Sequence, residues 1–302
     1  MYPIIEVLEQ SVEVVEQLGT KPKFWYRGAD GRSYLFKENR PDSGEHWAEK
    51  AVSEICNLIG IPHANYDLAR YKEKKGVICN NFVPQGGVLI HGNELLLARD
   101  EKYPVARLYR VKEHTLELVM HTIGLIKAQP PVGWKMAESI QRGTDVFVGY
   151  LMLDAFIANQ DRHHENWGLI WTKEKTIHLA PSYDHASSLG RNESDDRRNH
   201  RLTTKGRDGR LLIEGYVENA QSAFYGDSAR LKTIDAFSRA AKRNPSAGKF
   251  WLNQLNNLTD RAVQEIFDRI PASEISEMAT KFAQSMLRFN KLRLLDFGAE
   301  FL

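Results

Sequence analysis

NQDRHHENWG, residues 159–168, is the stretch of the sequence that says most about fold and chemistry. It follows an apolar helical pattern over residues 144–159 and precedes a predicted hairpin over residues 167–180. Asp161 and Asn166 stand in D-x4-N spacing, in which the aspartate accepts a substrate hydroxyl proton and the asparagine binds a metal ion. The spacing indicates phosphoryl transfer, although Asp and Asn in this pattern also close helices by bonding to backbone groups.

A second acidic residue, Asp184, follows the predicted hairpin in the segment HLAPSYDHASSLG. Mg²⁺ favours octahedral coordination by oxygens, so a metal held by Asn166 beside phosphates needs another hard oxygen ligand. Asp184 has the position and chemistry of the metal-binding aspartate of protein kinases, although the tripeptide here reads Asp-His-Ala. An Asx turn that closes the hairpin is the alternative interpretation of Asp184.

Residues 1–84 predict a small β-rich lobe with the element order β-β-α-β-β. Two aromatic-rich runs, KFWYR and RSYLFK, form a predicted hairpin that turns near Asp30-Gly31. A helix is predicted over residues 46–60, because apolar residues recur there at three- and four-residue intervals and Gly60 supplies a stop. YDLARY and GVICNNFV predict a second hairpin around KEKKG.

This N-terminal lobe contains candidate nucleotide-binding residues. Lys37 closes the second strand and Glu49 lies on the helix, as in sites where an ammonium group contacts ATP phosphates and a carboxylate holds it. GTKPK, residues 19–23, precedes the first strand, where a phosphate-covering loop belongs. The glycine evidence is weak by itself, because neither GxGxxG nor GxxxxGK[ST] occurs in the sequence.

The remainder of the chain is mostly helical in pattern. Helices are predicted over residues 116–126 and 144–159, with one apolar face on the second, and helical periodicity also marks residues 233–302. Residues 190–210 are polar without any apolar period, so they predict a loop. A small β-rich lobe joined to a larger helical lobe is the expected architecture.

At this point the residues show a resemblance to a known family. DRHHEN, followed by YDHASSLG, resembles the catalytic and metal-binding segments of HipA-like kinases. The resemblance extends to GTKPKFW, YLFK, the AEK…LIGIP helix and IANQDRHHENWG, and so covers most of residues 1–190. It implies an α+β, bilobal protein-kinase-like fold, with residues 1–84 as the nucleotide-binding lobe and residues 85–302 as the catalytic lobe.

The resemblance also implies roles for individual residues. Asp161 is then the catalytic base, and Asn166 and Asp184 hold Mg²⁺. Lys37 contacts the ATP phosphates, with Glu49 as its partner. The phosphate-covering loop would contribute Gly19, Thr20, Lys21 and Lys23. Phe82 and Val83 would be hinge residues beside adenine. His163 and Tyr183 would border the nucleotide.

The function implied is an ATP- and Mg²⁺-dependent kinase that phosphorylates Ser or Thr of a cytosolic protein, with a toxin-like, translation-related target. An antitoxin or another neighbour-encoded regulator is the expected partner. Two departures matter: only 18 residues precede Gly19, which predicts a short member without the extra N-terminal subdomain of HipA toxins. The regulatory serine of the HipA phosphate loop is also unmatched, because Glu16, Gln17 and Leu18 stand there.

Composition excludes several other classes of protein. With 302 residues, 42% hydrophobic, the chain has room for one or two domains with a sizeable core. A formal net charge of +2 gives no electrostatic drive toward nucleic acid or membranes. Cys56 and Cys79 fit a reducing compartment as small apolar side chains. Without a recognisable signal peptide or membrane span, the expected location is the cytoplasm.

Alternative functions remain open at the level of sequence. DRHxxN also occurs in phosphatidylinositol kinases, and kinases of small molecules such as aminoglycosides or choline share the two lobes. A catalytically silent scaffold is a further alternative. It is disfavoured because all four central polar residues are present, namely Lys37, Asp161, Asn166 and Asp184. A metal hydrolase is disfavoured because no HExxH or HxxxH pair accompanies the histidines His163, His164, His178 and His185.

A group of basic residues raises one more alternative. Nucleic-acid binding would depend on residues that acidic neighbours interrupt: Arg197, Arg198, Arg201, Lys205, Arg207 and Arg210. A solvated loop is the simpler interpretation. The functional one is a segment that borders the catalytic cleft, as an activation segment does, and receives a protein substrate.

Overall fold

A six-stranded sheet dominates the N-terminal part of the protein. The computed structural model describes residues 1–15, 22–134, 137–227 and 229–301. The strands follow the order β1-β5-β6-β4-β3-β2, and all neighbours are antiparallel except β1 and β5. Both predicted hairpins are confirmed, and β1 and β2 are additional short edge strands. The strands are β1 (Ile5–Glu6), β2 (Val12–Val15), β3 (Lys23–Arg27), β4 (Ser33–Glu38), β5 (Tyr66–Tyr71) and β6 (Lys74–Asn80).

The alternation of strand β4 determines where Lys37 points. Phe36 is buried in a cluster with Tyr26 and Ile78 on one face of the sheet. Because successive side chains of a strand point to opposite faces, Lys37 projects to the other face. On strand β6, Gly76 pairs with Glu38, and a Cβ atom there would collide with the Lys37 carbonyl oxygen.

Helix α1 (Glu45–Ile59) packs against strands β5 and β6, on the face of the sheet that carries Lys37. Its buried residues include Trp47, Ala51 and Ile55, as the apolar spacing predicts, and the helix ends at Gly60 with φ 73°. The apolar spacing of this helix also includes Leu58. In the last turn, however, Leu58 is exposed and Ile59 is buried instead.

The larger part of the chain begins after β6 leaves the sheet. It contains a sheet of order β7-β8-β9, a hairpin β10-β11 and helices α2–α10. A division at residue 84 stays a prediction. The elements are β7 (Val88–His91), α2 (Gly92–Arg99), α3 (Leu116–Leu125), α4 (Gly143–Ile157), β8 (Gly168–Trp171), β9 (Ile177–Leu179), α5 (Asp195–Thr203), α6 (Leu212–Glu218), β10 (Gln221–Tyr225), β11 (Arg230–Lys232), α7 (Thr233–Arg243), α8 (Pro245–Asn257), α9 (Asp260–Asp268) and α10 (Glu277–Phe301).

Helix α4 is the central element of this larger part. The prediction of a single apolar face was wrong, because almost every residue of the helix is buried by the surrounding helices. Gly149 lies so close to Trp251 that a Cβ atom would collide with the indole. At the end of the helix, Asn290 Nδ2 donates to the Phe156 carbonyl (3.0 Å). A rigid helix therefore leads directly into the segment NQDRHHENWG.

The prediction of a loop over residues 190–210 was also wrong in its middle, where helix α5 forms. Ser194 accepts a hydrogen bond from the Arg197 amide, and Asp195 and Asp196 lie in the first turn. These groups complement the helix N-terminus, and basic residues in the last turn complement its C-terminus. The helix carries almost no apolar residue, so a search for apolar periodicity could not detect it.

Candidate active site

The buried side chain of Arg162 holds the loop from Asp161 to Asn166 in place. Its guanidinium donates to both carboxylate oxygens of Asp154, on helix α4, at 2.5 and 2.7 Å. It also donates to Ser182 Oγ (3.0 Å) and to the Asn166 carbonyl (3.3 Å). Burial raises the pKa of Asp154, and Arg162 and Asn159 oppose that shift. Sequence reasoning missed Arg162, although an acid inside an apolar helix is a signal for a buried cationic partner.

Asp161 and Asn166 are held together within this loop. Asn166 Nδ2 donates to the Asp161 carbonyl (2.7 Å), and in the described part of the chain no donor bonds to Asn166 Oδ1. The Asp161 carboxylate accepts a hydrogen bond from Ser187 Oγ (3.2 Å). Burial raises the pKa of Asp161, and so does the nearby charge of Asp184, while His163, Ser187 and Arg191 oppose the shift. The side chain of Asn166 is thus tied to the backbone of Asp161 within one loop.

Lys37 meets both Asp184 and Glu49. Its Nζ lies 3.1 Å from Asp184 Oδ1 and 3.6 Å from Glu49 Oε1. Burial alone would lower the pKa of Lys37, but Asp184, Tyr66 and Glu49 raise it well above its ordinary value. The amine is therefore a permanent positive charge between the two parts of the molecule.

Asp184 and Glu49 are themselves oriented by backbone contacts. Asp184 has a left-handed backbone (φ 58°), which Asp tolerates better than most residues, and its amide donates to the Tyr66 hydroxyl (3.1 Å). Glu49 Oε2 accepts from the amide of His185 (2.9 Å). Helix α1 is thereby tied to the segment that carries the second candidate metal ligand.

A chain of contacts also links helix α1 to the Asp161 carboxylate. The Arg191 guanidinium donates to Glu45 Oε1 (2.5 Å) and to Ser187 Oγ (3.0 Å). Ser187 in turn donates to Asp161. Sequence reasoning missed Ser187 and Arg191, because nothing in the local sequence indicates that they meet a helix far away along the chain.

An apolar cluster lies between the sheet and the segment that carries Asp184. Tyr66, Val77, Ile170 and Tyr183 belong to one buried cluster, and Phe82 and Val83 pack against it. The Phe82 and Tyr183 rings stack with centroids 5.6 Å apart, and the Tyr183 hydroxyl donates to the Glu165 carbonyl (2.8 Å). The Val83 amide already donates to Asn81 Oδ1 (3.0 Å). A contact of Phe82 and Val83 with adenine stays a prediction.

His163 lies elsewhere, on the wall of a cavity of about 400 Å³ that also includes the Asp161 carboxylate. Its ring meets the Tyr109 ring edge-to-face, with centroids 5.7 Å apart. None of Lys37, Tyr183 and Phe82 is among the described residues that line this cavity. His163 and Asp161 therefore line a cavity whose described wall includes none of the residues of the apolar cluster.

Family models show to which protein family the chain belongs. The model of the HipA-like C-terminal domain matches residues 15–273. The chain belongs to this HipA-like family. A comparison with curated proteins gave no significant match.

Solved structures show which fold the HipA-like chain has. A Helicobacter pylori proinflammatory kinase, CtkA, superposes with a TM-score of 0.78 at 19% identity, covering 99% of this chain and 97% of that one. HipA of Shewanella oneidensis MR-1, from a complex with HipB and operator DNA, gives a TM-score of 0.60 at 13% identity, covering 95% and 67%. The expected α+β, bilobal kinase fold is confirmed by this likeness.

The predicted phosphate-covering loop lies only partly within the described residues, so the roles of its residues stay predictions. Gly19, Thr20 and Lys21 of the HipA-like chain lie outside the described residues. Lys23 is the first residue of β3, where it pairs in register with Lys37. Within the described ranges, no group of three or more His, Cys, Asp and Glu side chains is arranged to hold a metal ion.

Three of the six basic residues in and after helix α5 form ion pairs within the described part of the chain. Arg198 pairs with Asp195, Arg201 with Glu193, and Arg210 with Asp208 and Glu218. Of the helices that the structure describes, none is both long and apolar enough to cross a membrane.

Proposed function

We propose that this chain is an ATP- and Mg²⁺-dependent protein kinase that phosphorylates Ser or Thr of a cytosolic protein. One observation carries the proposal: Lys37 Nζ lies 3.1 Å from Asp184 while Asp161 and Asn166 share one rigid loop. In phosphoryl transfer the protein supplies mainly position and charge, and these four side chains have the types that such a site requires.

The residues fit a divalent metal and a nucleotide. Asn166 Oδ1 has no hydrogen-bond donor among the described residues, and the Asp184 carboxylate lies beside the Lys37 ammonium. Both groups are hard oxygen ligands of the kind that Mg²⁺ prefers. Bound Mg²⁺ would neutralise charge on the β- and γ-phosphates.

The side chains of the chain itself would perform the remaining tasks. Lys37 would bind phosphate oxygens, and Glu49 would hold the ammonium in place. The Asp161 carboxylate would orient the acceptor hydroxyl and accept its proton at Oδ1 or Oδ2 as the phosphoryl group is transferred. The Phe82–Tyr183 side of the apolar cluster would receive the adenine ring.

A binding experiment tests the nucleotide and metal half of the proposal. Asp184→Asn should weaken Mg²⁺-dependent ATP binding at least tenfold, an order-of-magnitude expectation for loss of a charged metal ligand. Binding is measured by calorimetry with and without Mg²⁺, and exposed Asp268→Asn on helix α9 serves as the matched control. Equal Mg²⁺-dependent affinity in wild type and Asp184→Asn would contradict the assignment of Asp184.

Acceptor panels distinguish the classes of kinase. Protein, phosphatidylinositol vesicles and small alcohols should be offered side by side with labelled ATP. Transfer to protein alone is the expected result, whereas transfer to lipid or to an alcohol would favour one of the two other phosphotransferases. ATP binding without transfer to any acceptor would favour a silent scaffold.

The proposed cellular role extends the family relationship. The Shewanella oneidensis HipA structure contains HipB and operator DNA, and we propose a comparable neighbour-encoded regulator for this chain. Co-purification with the products of adjacent genes tests it. Phosphoproteomics after induction of wild type and Asp161→Asn would identify the target and whether it belongs to translation.

A further inference from the structure

The cavity of about 400 Å³ beside Asp161 has an unusual charge pattern. Two arginines, Arg110 and Arg230, line it, and Asp161 is the sole carboxylate residue among the described residues of its wall. No described residue forms an ion pair or a hydrogen bond with the Arg110 guanidinium. The positive charge of Arg110 is therefore available to a ligand.

Arg230 is held in place without being neutralised. Its guanidinium donates to three backbone carbonyls, of Ser222 (2.9 Å), Gln221 (3.4 Å) and Gln160 (3.5 Å). Carbonyl oxygens fix the position of a guanidinium but leave its net charge intact. Because Gln160 directly precedes Asp161, Arg230 is fixed next to the candidate base.

A buried imidazole adds another polar group without a partner. His164 is 1% exposed, and its Nδ1 lies 2.9 Å from the Tyr103 hydroxyl. Its Nε2 is buried without any hydrogen-bond partner among the described residues. When Tyr103 donates to Nδ1, the neutral ring carries its proton on Nε2, and His164 is one of the residues that line the cavity. Such an unsatisfied buried donor is costly unless a ligand accepts its hydrogen bond.

We propose that this cavity binds the acceptor protein through an acidic side chain, Asp or Glu, adjacent to the phosphorylated Ser or Thr. Arg110 and Arg230 would pair with the carboxylate, and the acceptor hydroxyl would reach Asp161 on the same wall. Guanidinium groups form bidentate contacts with carboxylates, which gives both orientation and charge selectivity. The inference rests on the proposed kinase function and names the substrate class of its acceptor side.

The experiment compares three serine peptides that differ only in the residues flanking the serine, which are Glu, Ala or Lys. The wild type should phosphorylate the Glu peptide with kcat/KM about tenfold or more above the Lys peptide, the ratio expected for one favourable charged contact. Arg110→Gln and Arg230→Gln should each raise KM for the Glu peptide more than KM for the Ala peptide, with ATP affinity nearly unchanged. Arg261→Gln, on an 88% exposed side chain of helix α9, is the matched control.

Each outcome decides one question. Equal use of the three peptides, preference for Lys, or unchanged KM in both arginine variants would overturn the acidic specificity. Asp161-dependent ATP turnover without phosphorylation of any peptide would also overturn it, and would leave the kinase function in place. Absence of all Asp161-dependent turnover would contradict the proposed function instead. In that case anisotropy of the labelled Glu peptide with wild type and Arg110→Gln still tests binding to the cavity.

Discussion

Arg162 is the residue on which the shape of the candidate catalytic loop depends most. It is 1% exposed and bonds simultaneously to helix α4, to the Asn166 carbonyl and to Ser182. Its partner Asp154 has no access to solvent that could replace these bonds, because the residue is 3% exposed. A buried charge left without its partner destabilises a protein more than the intact pair stabilises it.

We therefore expect Arg162→Ala to lower the free energy of unfolding by about 3–5 kcal/mol. Arg162→Lys should recover only part of the loss, because an ammonium cannot form the two parallel bonds of a guanidinium. Denaturant titration measures both variants, with Arg261→Ala as the exposed control. A loss under about 1 kcal/mol for Arg162→Ala, the range of surface pairs, would show that Asp154 is not dependent on Arg162.

At the scale of single residues, part of the candidate site could be predicted from local spacing in the sequence. D-x4-N predicted that Asp161 and Asn166 lie on one loop, and the chemistry of Mg²⁺ ligands pointed to Asp184. Arg162, Ser187 and Arg191 were not predicted, because their importance arises from contacts between segments distant in sequence. The contact of His163 with the nucleotide, which the resemblance implies, stays a prediction; in the structure His163 lines the same cavity as Asp161.

At the scale of elements, helix α1 and the candidate base are connected through Arg191 and Ser187. Glu45 opens the helix, Arg191 bonds to it, and Ser187 bonds to both Arg191 and Asp161. Ser187 is a positioning residue in this arrangement, since it orients the carboxylate that would meet the acceptor. A displacement of helix α1 would therefore change the position of the Asp161 carboxylate through these contacts.

Ser187→Ala should lower kcat about tenfold, because it removes one hydrogen bond to the charged Asp161 carboxylate. The KM for ATP should stay nearly unchanged. Ser187→Thr should recover most of the activity, because it retains the hydroxyl. Steady-state kinetics measures both, with Ser246→Ala, an exposed serine on helix α8, as the control. Equal loss in Ala and Thr variants would indicate a packing effect and not the hydrogen bond.

Elements with a clear apolar period were predicted well, and those without one were missed. Hairpin β3–β4, helix α1 and hairpin β5–β6 lie where the pattern indicated. Helix α5 was missed because capping and charge, not apolar spacing, stabilise it. The edge strands β1 and β2 are too short to show an alternation, and pairing with a neighbour defines them.

At the scale of the molecule, Glu274 joins the helical part to the sheet. It precedes helix α10, and its carboxylate lies 2.8 Å from Arg70 on β5, 3.4 Å from Lys75 on β6 and 3.1 Å from His46 on helix α1. Burial opposes its ionisation, but hydrogen bonds from His46, Arg70 and Ser273, with the charge of Lys75, hold the pKa of Glu274 well below its ordinary value.

A depressed carboxyl pKa stabilises the folded state above the unfolded pKa, about 4.3 for Glu, and this stabilisation is lost as pH falls toward the folded pKa. Glu274→Gln should therefore lower the free energy of unfolding at pH 7 by about 1–3 kcal/mol, as loss of charged hydrogen bonds does. Below about pH 4 the difference from wild type should shrink. Thermal unfolding from pH 7 to pH 3.5 measures this, and a constant difference across that range would contradict the linkage.

Family and fold class were predictable from the whole sequence, because several weak motifs occur in the order that the kinase fold requires. The match over residues 15–273 confirms the family. The packing of the two parts was not predictable, since contacts such as those of Glu274 join residues far apart in the chain. The closed environment of helix α4 arises in the same way, from helices contributed by the last part of the sequence.

The most direct measurement of the central claim is single-turnover transfer of labelled γ-phosphate by wild type, Asp161→Asn and the control Asp268→Asn, with ATP affinity determined in parallel. Loss of transfer of at least 10²-fold in Asp161→Asn alone, with ATP affinity retained, is the predicted result. Transfer at the wild-type rate by Asp161→Asn would contradict the account.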